Sequence, residues 1–268
     1  MKYTFGFIGC GNMGGTLAAT VATTVGGERV AVYDRDESKS GALRDRYGVA
    51  ILDGAQLAKE CKFVVLGVKP QVMAGALEEL RSALAENENV TVVTMAAGLS
   101  ISAIRAMAGG AYPVIRIMPN TPCALGKGVV LYATDGVSEE NEQAFLQAFA
   151  GAGYLDKVSE SDVDGAGALS GCGPAFAYVF AQSLADGAAA CGIPMEKAIV
   201  YAAKTLIGAG EMILAHGDPE QLTKNVCSPG GTTLAGVKAL DDGNFRTVAK
   251  SAVTAAYART LELKGDKK

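Results

Sequence analysis

The sequence predicts an α/β chain in two parts: a mainly parallel, doubly wound sheet covered by helices through residue 159, then an all-α half over residues 160–268. Three observations predict it. Short β-rich runs alternate with helical patterns from Lys2 to about Lys157, strand signals vanish after about Ser159, and a glycine-rich turn, Gly9-Cys10-Gly11-Asn12-Met13-Gly14, joins the first strand-like run to the first helical one.

The first strand is the apolar run Tyr3–Ile8, and the first helix follows over Met13–Val25. Between them, Gly9 allows a tight turn, Gly11 lets the backbone approach a pyrophosphate, and Gly14 lets the helix pack closely on the strand. The helix start offers N–H groups to phosphates, and it places Asn12 and Met13 beside them. Glycines alone mark only a loop. The strand before them, the helix after them and Asp34, about 20 residues further on, turn the loop into a dinucleotide-binding turn of the Rossmann type.

The remaining strands are expected at Arg29–Tyr33, Phe63–Val68, Val90–Met95, Pro113–Ile117 and Val129–Ala133. Helices are expected at Glu37–Tyr47, Val72–Ala85, Ile101–Met107 and Glu139–Phe149. A domain boundary is placed between Val158 and Asp162, giving a dinucleotide-binding domain over 1–159 and a helical domain over 160–268. In that second part Gly and Pro breaks separate helices at Ala175–Cys191, Met195–Ile213, Thr232–Leu240 and Phe245–Leu263. Asp186 is the only charge on Ala175–Cys191. A helix apolar all round must be covered all round, either by a second copy of the chain or by the first domain.

Composition narrows the function classes. With 49% hydrophobic and 19% charged residues and a net charge of −4, the chain reads as globular, with no basic block to attract nucleic acid. Tyr3 to Gly27 carries no charge, but seven glycines interrupt it, so it is read as the first unit of a buried sheet and not as a signal peptide or membrane anchor. The six cysteines are scattered without a CxxC pair, and there is one histidine, so neither a metal site nor a disulfide framework is expected. That usage fits a cytoplasmic protein.

A second chemical signal lies at Ser228-Pro229-Gly230-Gly231-Thr232-Thr233. Two glycines just before a helix expose consecutive backbone N–H groups, and Ser228, Thr232 and Thr233 add hydroxyls, a set that suits a small carboxylate at a positive helix end. A plain turn and N-cap would need only one of those hydroxyls.

Four segments carry a family resemblance: Phe63-Val64-Val65-Leu66-Gly67-Val68-Lys69-Pro70-Gln71, Arg116-Ile117-Met118-Pro119-Asn120-Thr121-Pro122, Leu169-Ser170-Gly171-Cys172-Gly173-Pro174-Ala175-Phe176 and Val226-Cys227-Ser228-Pro229-Gly230-Gly231-Thr232-Thr233. In order and near spacing the chain resembles the pyrroline-5-carboxylate reductases, and the stretch from Pro219 through Asp241 carries the most specific likeness. The resemblance implies reduction of L-1-pyrroline-5-carboxylate to L-proline with NADPH or NADH. It also implies a Rossmann domain, a helical domain that dimerises, an active site shared between subunits, and a homodimer or a larger assembly built from dimers. Within it, Ser228, Gly230, Gly231 and Thr232 would hold the substrate, and Thr233 would lie nearest the ring nitrogen. The Val68-Lys69-Pro70 turn and the loop holding Asn120 would border the nicotinamide and its ribose. Lys69 by itself reads equally as a solvated amine. Cys172 stands where the family usually has Ser and is read as a lining residue.

A protonated imine already carries positive charge, so hydride can add to carbon without a strong acid. Positioning is then the main catalytic contribution, and the lone histidine, His216, is given no role. Two other readings are weighed. A β-hydroxyacid-dehydrogenase-like enzyme would need a lysine in the run Gly165 to Ala181, which has none. A non-catalytic NAD(P)-sensing protein would leave the Ser228–Thr233 loop unexplained. The cofactor stays open at this point: Asp34 suits a ribose hydroxyl, whereas Arg35 and Lys39 suit a 2′-phosphate, and Asp36 weakens the phosphate case.

Overall fold

The computed structural model describes residues 2–263 and residue 265. It contains an eight-stranded sheet: β1 (Tyr3–Ile8), β2 (Val30–Tyr33), β3 (Ala50–Ile51), β4 (Cys61–Leu66), β5 (Thr91–Thr94), β6 (Val114–Met118), β7 (Gly128–Asp135) and β8 (Gly153–Lys157). The spatial order is β3-β2-β1-β4-β5-β6-β7-β8, parallel throughout except where β7 runs antiparallel to β6. The chain winds outward from β1 in one direction through β2 and β3 and in the other from β4, so a crevice forms between the carboxyl ends of β1 and β4.

The strands are apolar on both faces because both faces are covered. On one side Phe5, Phe7, Phe63 and Val65 meet α1 (Asn12–Val25), α2 (Glu37–Tyr47) and α6 (Glu139–Phe149). On the other, Ile8, Val64 and Leu66 meet α3 (Gly54–Glu60), α4 (Met73–Ala85) and α5 (Ile101–Ala108). The period-2 alternation along β4 thus feeds two cores with one strand. Phe5 and Phe63 stack with ring centroids 4.6 Å apart, and Phe149 packs edge-on to Phe5.

Five elements go beyond those expected: β3, β8, α3, α7 (Glu160–Ser170) and α10 (Pro219–Val226). The two-residue β3 is too short to show a period, and β8 is an edge strand in which no residue is fully buried. The helices did carry local start signals. Asp53 and Gln56 form a capping box on α3, Ser159 caps α7, and Asp218 caps α10 just before Pro219 at its first position.

The chain divides into two compact units, one of residues 2–172 together with the stretch from Ala256 onward, the other Gly173–Ala255. The expected division after residue 159 differs from this by α7 and by the end of α12, both of which cluster with the sheet. Helix α7 buries Val163, Asp164, Gly167 and Ala168, and Met118 of β6 packs against Gly167, so α7 belongs with the sheet.

The second unit contains α8 (Gly173–Ala190), α9 (Met195–His216), α10, α11 (Thr232–Asp242) and the first part of α12 (Phe245–Leu263). Its buried cluster consists of Ala185, Ala198 and Ala202, with Phe180 stacked on Phe245 nearby. Tyr178 and Val179 of α8 and Val200, Tyr201 and Ile207 of α9 are exposed in the single chain. Among the described residues, α9 is the one helix long and apolar enough to cross a membrane by length and composition.

Candidate active site

The turn after β1 is held on both sides by backbone bonds: Gly9 N–H donates to the Tyr33 carbonyl of β2 at 2.8 Å, and Gly67 N–H, just past β4, donates to the Ile8 carbonyl at 2.7 Å. Gly9 has φ +95°, a region that favours glycine, and a Cβ on it would sit 2.8–3.0 Å from the backbone of Gly67 and Val68. A Cβ on Gly14 would run into the Gly9 carbonyl, and one on Gly67 would lie 2.5 Å from the same oxygen. Gly11 is different. Its φ of −65° and ψ of −170° suit any residue, and a Cβ there would meet nothing within 4 Å. Gly9, Gly14 and Gly67 are therefore small for packing within the protein, whereas the space over Gly11 is open to a ligand.

α1 begins at Asn12 with Gly11 as N-cap and no side-chain acceptor. By contrast, side chains cap α2 (Asp36), α5 (Ser100) and α6 (Ser138), as well as α3, α7 and α10. The first-turn N–H donors of α1 are left for something else, and a phosphate is the natural acceptor at a positive helix end. Asn12 is exposed there, while Met13 turns partly into the core. The Cys10 thiol donates to the Tyr33 carbonyl at 3.6 Å; burial, and then the Asp34 charge, push its pKa up to about 12. Cys10 thus adds no negative charge to a phosphate site.

Asp34 directly follows β2 and faces a cleft of about 370 Å³. One carboxylate oxygen accepts the Cys10 N–H at 2.6 Å, and the other accepts the Asp36 N–H at 2.9 Å. The cleft brings together Gly9, Asp34, Arg35 and Val68, four of the residues singled out from the sequence, with Asp53 and Glu79, which were not. Arg35 pairs with Glu79 at 3.3 Å. Lys69 is exposed, and Pro70 opens a short 3-10 turn, Pro70–Val72, that leads into α4.

Asn120 lies in the loop after β6. Its side chain is buried and both ends are occupied: the amide donates to the Ser170 carbonyl at 2.9 Å, and the oxygen accepts the Val129 N–H at 2.9 Å. The carboxamide therefore ties the loop after β6 to β7 and to the end of α7.

The second unit holds the other predicted motif by itself. Gly231 N–H donates to the Ser228 carbonyl at 3.0 Å, Gly230 sits at φ +71°, and Gly231 caps α11 without a side-chain acceptor. A Cβ on Gly231 would lie 2.5 Å from Ser228 Oγ, so the glycine lets that hydroxyl fold over the helix start. Ser228, Gly230, Thr232 and Thr233 are exposed. The turn therefore presents free N–H donors and three hydroxyls at one positive helix end, as a carboxylate site needs. His216 lies near the end of α9 with Asp218, Gln221 and Asn225, apart from this turn in sequence.

Gly67, Glu79 and Asp53 are the residues that sequence reasoning did not assign to the site. Gly67 was legible only as part of a motif, since nothing local says that β4 will lie beside the glycine turn. Asp53 did carry a cap signal, but a cap does not announce a cleft.

Residues 160–263 match the family described as pyrroline-5-carboxylate reductase dimerisation, and residues 4–98 match NADP oxidoreductase coenzyme F420-dependent. The chain is 35% identical to a pyrroline-5-carboxylate reductase from Arabidopsis thaliana over 267 residues, covering 98% of this chain and 96% of that one. Among solved structures it is similar to a pyrroline-5-carboxylate reductase from Coxiella burnetii (TM-score 0.88, 31% identity, covering 98% of this chain and 99% of that one). It is also similar to the pyrroline carboxylate reductase of Plasmodium falciparum with NADP bound (TM-score 0.87, 28% identity, the same coverage).

Proposed function

The chain belongs to the pyrroline-5-carboxylate reductase family, and from that premise we infer that it reduces L-1-pyrroline-5-carboxylate to L-proline with a hydride from NAD(P)H, the last step of proline biosynthesis. The observation that carries the reading is the pair of α-helix starts capped by a glycine, α1 at Gly11 and α11 at Gly231, neither of which has a side-chain acceptor over its first N–H groups. One suits a pyrophosphate and the other a carboxylate, the two anionic groups this reaction must hold.

The first unit fits a dinucleotide on its own geometry. Gly9, Gly14 and Gly67 close the turn, Gly11 leaves its outer side open, and Asp34 faces the adjoining cleft. We assign pyrophosphate binding to Gly9, Gly11, Asn12, Met13 and Gly14, adenosine contacts to Asp34 and Arg35, and the nicotinamide border to Val68, Lys69 and Pro70. When bound, NAD(P)H supplies hydride to carbon.

The substrate is assigned to Ser228, Gly230, Gly231 and Thr232, whose N–H and hydroxyl groups would bind its carboxylate, with Thr233 Oγ1 toward the ring nitrogen. The residues then have little covalent work to do. The C=N carbon of the protonated imine takes hydride, the π pair moves to nitrogen, and nitrogen keeps its proton as a neutral secondary amine. A hydroxyl acceptor near that nitrogen holds the ring in orientation while its charge falls, so the chain contributes mainly positioning.

The helical half forms a homodimer, and any larger assembly is proposed to be built from that dimer. We read α9 as covered by protein and not by a membrane, expect no nucleic-acid partner, and place the protein in the cytoplasm. The support is the family match, the net charge of −4 and the scattered cysteines. The assay that tests the function follows absorbance at 340 nm with purified protein and identifies the product by mass spectrometry. Oxidation of the cofactor with appearance of proline is expected only with pyrroline-5-carboxylate or a close cyclic-imine acid. Equal turnover of 2-hydroxy or 3-hydroxy acids would overturn it.

A further inference from the structure

Resting on the cofactor reading above, we propose that Asp34 makes this reductase discriminate in favour of NADH, by holding the adenine ribose diol and excluding a 2′-phosphate. Three observations meet at the end of β2.

The first is the state of the carboxylate. Cys10 N–H and Asp36 N–H each take one lone pair, one on each oxygen, at 2.6 and 2.9 Å. Each oxygen keeps a second lone pair, and the side chain remains 14% exposed toward the cleft. A carboxylate fixed in that way presents two acceptors side by side, which matches two vicinal hydroxyls. Against a dianionic phosphate it presents a fixed negative charge that cannot swing away, because two backbone donors hold it.

The second is the start of α2, the positive helix end that follows Asp34 in the chain. The Asp36 carboxylate already occupies it, accepting from Ser38 N–H at 3.2 Å and from Ser38 Oγ at 2.5 Å. Those bonds hold the Asp36 carboxyl below the usual carboxylate range, so the group is an anion at neutral pH. A 2′-phosphate would have to displace it.

The third is the cations. Arg35 is paired with Glu79 at 3.3 Å, and Lys39 lies 3.4 Å from Asp36 and 4.0 Å from Asp34. An exposed pair such as Arg35–Glu79 is weak and can open. Opening it, however, brings one positive charge to a cleft whose lining already carries Asp34, Asp53 and Glu79. The fixed carboxylate decides the balance.

The test is isothermal titration of the purified wild-type protein with NADH and with NADPH, without substrate, alongside kcat/KM for each with pyrroline-5-carboxylate. NADH is expected to bind about tenfold or more tightly than NADPH, and the kcat/KM ratio is expected to follow. Asp34→Asn keeps an oxygen acceptor for Cys10 N–H but removes the charge, and should shift the Kd ratio toward NADPH by about tenfold or more. Equal or tighter NADPH binding by the wild type, or a ratio that Asp34→Asn leaves in place, would overturn this inference while leaving the reductase reading intact. Because equal or tighter NADPH binding by the wild type overturns the proposal by itself, failure of Asp34→Asn to fold would not shield it. A protein that binds neither cofactor, or reduces the imine with neither, would instead overturn the functional reading itself.

Discussion

Arg116 and Asp164 form a buried ion pair between β6 and α7, with Nη2 2.5 Å from Oδ1 and both side chains 1% exposed. Glu160, at the start of α7, lies 3.8 Å from the same guanidinium and also accepts the Ile101 N–H that opens α5. Removing Asp164 leaves a guanidinium in the interior without its closest counter-charge. Asp164→Ala is expected to cost about 3–5 kcal/mol of stability, read as a lower urea midpoint with an unchanged slope. An unshifted midpoint would show that the pair does not hold α7 to the sheet.

Two glycine substitutions should separate packing from ligand binding. Gly67→Ala places a methyl 2.5 Å from the Gly9 carbonyl and should lower the melting temperature. Gly11→Ala meets nothing within 4 Å and should melt within a few degrees of the wild type, yet bind NAD(P)H at least tenfold more weakly in a fluorescence titration. Normal cofactor affinity in Gly11→Ala would place the pyrophosphate elsewhere.

Thr233→Ala should lower kcat/KM by about 1–3 kcal/mol, the cost of one hydrogen bond at a partly charged group, with Thr233→Ser recovering most of it. Steady-state kinetics with a circular-dichroism check of folding is the measurement. Wild-type kinetics from the alanine variant would remove Thr233 from the site.

Burial pushes the thiols of Cys10 and Cys61 up to about 12, and that of Cys123 also upward. Because the thiolate is the nucleophile, raised values mean slower alkylation at pH 8. Mass spectrometry after iodoacetamide treatment of the folded protein should find these three unlabelled, and labelled once urea is added. Rapid labelling of Cys10 in the native protein would show the glycine turn to be open.

Val179 on α8 is 69% exposed in the single chain, within the part of the chain that matches a dimerisation family. Val179→Asp should put an unpaired carboxylate into the subunit interface and yield aggregated or unfolded protein. Analytical ultracentrifugation showing the variant to be a wild-type-like dimer would move the interface off that face of α8.

Where an element was long and began on a capping side chain, the sequence carried it to both ends. Glu37–Tyr47 starts after Asp36 and Glu139–Phe149 after Ser138, and the structure has the same bounds. Other elements lacked periodicity: β3 has only two residues, and α7, although as long as those two helices and capped by Ser159, is diluted by Gly165 and Gly167. The site was legible where one turn contains all the chemistry, as at Gly9–Gly14 and Ser228–Thr233. It was not legible where sheet order supplies the neighbour. Gly67 touches Gly9 because β4 lies beside β1, and Asn120 is engaged by Ser170 and Val129 because α7 returns to the sheet. Pairings of that kind are set by tertiary packing, which no local pattern encodes.

The buried cluster of the helical unit, three alanines, has a consequence for how this protein responds to dilution. So small an interior contributes little against the chain entropy of ordering its helices, so apolar surface covered on dimerisation adds directly to the stability of the second half. Folding then obeys mass action, and each tenfold rise in protein concentration favours the assembled state by about 1.4 kcal/mol. In a mixture of sound and defective copies, one damaged α8 would disable two chains.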